Sequence, residues 1–212
     1  MISLKFMKST PELIFKKIVK ESFHKVLKSQ SFKKRNNNFY RHLSEVGHII
    51  NIQKNRYNTK ENIEFTINIG IFSPIYWMKC YNYKDATEIP KMPHEYESIM
   101  RYRIGELLGG DDVWFTITED TEEDELIMDM ISLVKKKMLP FFDKITNNEE
   151  LLIALEKDDG FGSSNYKRFL MLAELDRIED AKKIYPLLLK EYEDNKMHLE
   201  SIKLEAAHYK ID

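Results

Sequence analysis

Ile63, Phe65, Ile67, Ile69 and Ile71 are apolar at every second position, and Glu64, Thr66, Asn68 and Gly70 stand between them. A side-chain repeat of two is the signature of a β-strand, so this run is extended, with one apolar and one polar face. Such contrast belongs to a sheet covered on one side, the habit of antiparallel sheets. Pro74 ends the run. Shorter alternating segments precede it: Phe39, Arg41 and Leu43 oppose Tyr40 and His42, and Val46, His48, Ile50 and Ile52 share one side of a second segment. Val113–Ile117 reads as a fourth strand, entered through the turn Gly109-Gly110-Asp111-Asp112.

Helical patterns surround these strands. Residues 10–29 read as a helix, with Thr10 at the N-cap, Pro11 at the first position and Ile14, Phe15, Ile18, Val19 and Leu27 on its apolar side. A second spans 122–142, with Leu126, Ile127, Met130, Val134 and Met138 on one stripe, and a short one is expected over 95–108. Residues 31–38 read as a polar basic loop whose asparagines suit left-handed turn geometry. Residues 75–98 are aromatic-rich and broken by Pro90 and Pro93, so no regular element is assigned there. From Asn147 onward the pattern is all helical: one helix around Leu151–Leu155, then 163–175, 178–192 (which Pro186 must kink or start) and 198–209. The expected fold class is α+β: an antiparallel sheet of about four strands flanked by helices in residues 1–144, followed by a C-terminal helical bundle in residues 145–212. Ala173–Ala181 is similar to the turn of a tetratricopeptide hairpin, but one unit is too few for a solenoid, and an ordinary packed helix pair is expected.

At 212 residues and 42% hydrophobic, the chain can bury a core without staples. Cys80 is its single cysteine, which rules out an intramolecular disulfide framework or a multi-cysteine zinc site. The longest apolar runs, such as Leu151–Leu155, are far short of a membrane span, and Met1–Glu12 lacks a signal-peptide core, so a cytoplasmic location is expected. The net charge of −2 hides an asymmetry: 14 basic residues against Glu12, Glu21 and Glu45 within residues 1–60, and an acidic excess beyond. The economical reading is that the two halves face each other in one dipolar fold.

The segments Ser31–Leu43, His48–Arg56, Glu64–Ile71 and Arg101–Ile117, taken in order, resemble a bacterial family known only as a domain of unknown function, number forty-three oh four. The resemblance covers about residues 12–140 and departs at Val113, which precedes Trp114 where the family pattern has two aromatics. It implies a small α+β domain and carries over no catalytic residues. Families of this kind often neighbour secreted toxin systems, so the resemblance also implies an immunity role.

No motif supplies chemistry. Gly109-Gly110-Asp111-Asp112 invites comparison with the hairpin of cyclic-dinucleotide cyclases, but Val113 and Trp114 replace the expected acidic and aromatic pair, and a plain turn with solvated aspartates is expected. His24, His42, His48, His94, His198 and His208 show no metal-ligand spacing, and Cys80 is a nucleophile only with a histidine packed beside it. There is no phosphate-binding glycine loop and no Gly-x-Ser-x-Gly elbow, so no cofactor and no enzyme activity are expected. The acidic run Glu119–Glu125 sits where a helix dipole stabilises carboxylates, and Thr118 or Thr121 can cap that helix.

The function expected is therefore protein binding, with the partner an antagonised cationic toxin. The candidate contact residues are Tyr76, Trp77, Tyr81 and Tyr83, as exposed aromatic anchors, and the acidic Glu119, Asp120, Glu122 and Glu123. Those aromatics equally suit a cover over an open sheet face. The alternative is a nucleic-acid-binding accessory protein that contacts phosphates through Lys33, Lys34, Arg35 and Arg41.

Overall fold

A computed structural model describes residues 10–80, 88–158 and 164–211. Strands β1 (Lys33–Arg35), β2 (Asn38–His42), β3 (Gly47–Lys54), β4 (Ile63–Phe72), β5 (Met100–Arg103) and β6 (Phe115–Ile117) form one antiparallel sheet. The order is β1-β2-β3-β4-β5, and β6 shares the outer margin of β4 with β5. The fold is thus α+β, as the alternation predicts, with a wider sheet than the four strands expected. β1 forms inside the segment read as a basic loop, closed onto β2 by a turn in which Asn36 takes φ 54°. The helix expected over 95–108 is interrupted: a 3-10 turn (Glu95–Glu97) and α3 (Ile104–Leu107) form, with β5 between them. Val113 and Trp114 lie outside β6.

The long helix α1 runs over 11–29 as Pro11–Ile18, a π-helical stretch Val19–His24 and Lys25–Ser29. Thr10 holds its N-cap through its backbone carbonyl, which accepts from the Leu13 and Ile14 amides. The second long helix, α4, repeats this design over 123–142: Glu123–Leu133, a π-helical stretch Val134–Met138 and Leu139–Phe142. Both lie on the apolar face of the sheet. Ile14, Ile18, Phe23 and Leu27 from α1 and Met130, Val134 and Phe142 from α4 join Phe39, Ile50, Ile52 and the five odd-numbered residues of β4 in one buried cluster. Each side chain of this size removed from water contributes roughly 1.5–3 kcal/mol.

A short helix α2 (Pro74–Cys80) occupies the region left unassigned from sequence. The C-terminal helices are α5 (Asn148–Glu156), α6 (Ser164–Glu174), α7 (Ile178–Glu191) and α8 (Lys196–His208). α7 continues through Pro186, which is exposed. Leu151, Leu155, Phe169, Leu172 and Ile184 belong to the same buried cluster as the sheet. α6 and α7 form the ordinary helix pair expected around Ala173–Ala181, with Asp176 at φ 58° in the turn. No helix among the described residues is long and apolar enough to cross a membrane.

The charge asymmetry resolves partly inside the fold. Lys17 of α1 reaches Glu123 of α4 at 2.6 Å, and Arg41 of β2 reaches Asp143 at 3.0 Å.

Candidate functional site

Helices cover one face of the sheet, and the other is exposed mainly at Lys33, Arg35, His42 and Gln53 of the first three strands. The strand pleat sends Tyr40, Ile49 and Phe72 to that second face, where Trp77 of α2 and Met92 complete a small apolar cluster over one end. Gly70 admits this roof: a side chain there would collide with Ser98. One pleat step along, the sheet carries a single row of polar residues, Arg35, Asn38, Asn51, Asn68 and Arg103, in register from β1 to β5; Arg35 is exposed, Asn38, Asn51 and Arg103 are half-buried, and Asn68 is 7% exposed.

The row is bonded side chain to side chain. The Asn51 Nδ2 donates to Asn38 Oδ1 at 2.7 Å, and the Asn68 Nδ2 donates to Asn51 Oδ1 at 2.9 Å and to Gln53 Oε1 at 2.8 Å. Each bond uses one amide to orient the next, which fixes the direction in which the remaining donors and acceptors point. At the β5 end, the Arg103 guanidinium lies 5.5 Å from the centre of the Trp114 ring and donates to Asp112 at 2.7 Å. Trp114 Nε1 donates to the same carboxylate at 2.9 Å. The glycine-rich turn thus serves a structural purpose: the Gly109 and Gly110 amides close α3, and the exposed Asp112 holds Arg103 and Trp114.

The residues singled out from sequence fare unevenly. Trp77 is only 6% exposed, and its indole N–H donates to Glu97 at 3.0 Å, so it is part of the roof and not an exposed anchor. Tyr76 is half-buried beside it, while Tyr81 and Tyr83 lie outside the described residues. Glu119, Asp120 and Glu122 are exposed, but Glu123 is drawn into the ion pair with Lys17. Glu122 is the N-cap of α4 without a side-chain cap bond; the Thr121 hydroxyl accepts from the Thr118 amide, closing the loop, not the helix.

Of the four cations in the basic segment, Lys33, Lys34 and Arg35 are exposed on β1, with Lys33 and Arg35 pointing to the open face. Arg41 is buried at 9% exposure, which removes it from any phosphate-binding role. Its Nε donates to His48 Nδ1 at 3.0 Å, so the His48 proton sits on Nε2, which donates to the Ile145 carbonyl at 2.7 Å. His48 is fully buried against Phe142, their rings 4.6 Å apart, and burial lowers its pKa to about 4. The imidazole is a neutral structural link, tying the segment after α4 to the middle of the sheet.

His42 is exposed on the open face, and His94 stacks on Tyr96 at 5.1 Å. Burial pushes the Cys80 thiol up to about 11, which leaves it protonated and a poor nucleophile. Among the described residues, no group of three or more His, Cys, Asp or Glu side chains is placed to hold a metal ion.

The amide row escaped the sequence reading. Its signal was the polar parity of β4, where Asn68 stands between isoleucines, but the partnership with Asn38 and Asn51 depends on strand register.

Residues 23–144 match a family model described as Domain of unknown function (DUF4304). The match takes in the C-terminal end of α1 from residue 23, the whole sheet and α4, and stops before α5. No curated protein and no solved structure matches the chain.

Proposed function

We propose that this chain, which belongs to the DUF4304 family, is a recognition protein that engages a protein partner through the polar, partly exposed second face of its sheet and transforms no substrate. The observation that carries the reading is the in-register row of Arg35, Asn38, Asn51, Asn68 and Arg103. Neutral amides held in fixed orientation suit the donors and acceptors of a peptide surface, and Arg and Trp are the residue types that most often anchor protein interfaces. Trp114 beside Arg103 provides that pair.

Nucleic acid is less well served. Arg41 is buried, Arg101 is bonded to Glu95 at 2.7 Å and Arg103 to Asp112, so few cations remain to neutralise phosphates. The cations that do remain on this face select a neutral or acidic partner. An immunity role is compatible with that surface only if the toxin is not itself strongly basic at the contact.

The test uses the full chain and an Arg35→Glu/Trp114→Ala variant as parallel baits in extract of the native host, with thermal melts confirming that both are folded. The expected result is a protein retained by the wild type after nuclease treatment and lost with the variant. Equal retention by both baits, or retained nucleic acid whose affinity drops steeply with salt, refutes the reading.

A further inference from the structure

Beside the amide row, a groove of about 650 Å³ runs between the outer strands β1 and β2 and the segment 89–92. Lys33, Tyr40 and His42 line it from the sheet, and Pro90, Lys91 and Met92 from the opposite wall. Its volume falls in the range of small-molecule sites, roughly 300–1,000 Å³. Two features give it chemical character. First, a lysine stands on each wall and no lining residue is acidic among the described residues, although the whole chain carries a net charge of −2. Second, the apolar part is built in advance. The Tyr40 ring meets Phe72 edge-on at 6.3 Å, and it lies so close over the Gly47 backbone that a Cβ there would stand 2.5 Å from it. Met92 packs against the same cluster.

We propose that this groove binds a small molecule bearing a phosphate, sulfonate or carboxylate on an aromatic or compact apolar body. Lys33 and Lys91 take the anionic head, and Tyr40, Pro90 and Met92 hold the body. A head group alone forfeits the apolar contact, and a neutral body forfeits both ammonium groups, so only the combination uses the whole site. The site stands apart from the Arg103–Trp114 end of the amide row, so it does not depend on the proposed partner.

The probe is phenyl phosphate, followed by calorimetry and by amide shifts in two-dimensional NMR of the full chain at low salt. Inorganic phosphate and benzyl alcohol test the head and the body alone. The expected result is binding that shifts Tyr40, His42 and Met92, with each fragment weaker by about tenfold or more. Lys33→Glu/Lys91→Glu should abolish it; both residues are exposed, and Lys33→Gln/Lys91→Gln serves if charge reversal impairs folding. The Trp114→Ala variant, altered at the far end of the amide row, should bind phenyl phosphate as the wild type does. Absence of binding at millimolar concentration, equal binding of benzyl alcohol, or binding indifferent to both lysine substitutions overturns the proposal.

Discussion

Acid should loosen this fold through His48. The buried ring accepts from Arg41, donates to the Ile145 carbonyl, and has a folded pKa near 4 against an ordinary 6.5, with burial the dominant cause. Between those two values the unfolded chain carries a proton on His48 that the folded chain refuses. Stability from this group is therefore complete above about pH 6.5 and is lost as pH falls toward 4. Each unit of pKa difference is worth about 1.4 kcal/mol, so the window amounts to about 3 kcal/mol. That is a large share of the roughly 5–15 kcal/mol that holds a typical domain together. Other groups also respond to acid. Lys54 and the Thr146 amide and hydroxyl hold the Glu12 and Glu150 carboxyls below the usual range, so a comparison with His48→Gln is needed to isolate the histidine. Urea unfolding of both proteins from about pH 7.5 to 4 provides it. At neutral pH the variant should be less stable by about 1–3 kcal/mol, through lost hydrogen bonding and packing against Phe142. Toward pH 4 the difference should shrink or change sign, because the glutamine does not titrate. Parallel stability curves across the window, or an NMR titration that puts the His48 midpoint near 6.5, would refute the reasoning.

Three further outcomes test other parts of the fold. Gly47→Ala should cost about 1–3 kcal/mol in thermal or urea unfolding, because the added methyl meets the Tyr40 ring at 2.5 Å; an unchanged midpoint would mean the ring moves freely. Lys167 and Asp158 form an ion pair at 3.1 Å with side chains 7% and 1% exposed, so Lys167→Met should destabilise by about 3 kcal/mol or more and Lys167→Met/Asp158→Asn by less. If the double variant is as unstable as the single, the stranded carboxylate is not the cause. Cys80, held near 11, should react with iodoacetamide about a hundredfold more slowly in the folded chain than in urea, as followed by mass spectrometry; equal rates contradict its burial.

The parts of this fold that could be read from sequence are those whose pattern is local. β4 announces itself because its apolar and polar residues alternate over the nine positions 63–71, and α1 and α4 because their stripes are long. β1 and β5 carry no such pattern. Lys33-Lys34-Arg35 is extended because β2 pairs with it, and Met100–Arg103 because β4 offers a free margin there. Arg41 looks like any surface cation in sequence, yet its carboxylate partner lies 102 positions away at Asp143. In sequence Trp77 suits an exposed anchor and a cover over the sheet equally, because its cover role depends on Tyr40 and Phe72 arriving beneath it. The amide row failed for the same reason: three asparagines are unremarkable singly and become a surface only when register aligns them.

The π-helical stretches carry a consequence for insertions and deletions. Along α4 the buried residues Met130, Val134, Met138 and Phe142 recur every fourth position, slightly wider than the 3.6 of an α-helix. In unbroken α geometry that spacing would creep around the helix by about 40° per turn, carrying Phe142 off the sheet; the wider turn of Val134–Met138 takes up the drift. Deleting one of the exposed lysines 135–137 would let regular geometry return with Phe142 eleven positions after Met130, which at about 100° per residue leaves it within about 20° of the same face and shifted by about 1.5 Å along the axis. The wide turn is thus the place where α4 can lose a residue and still hold Phe142 against His48.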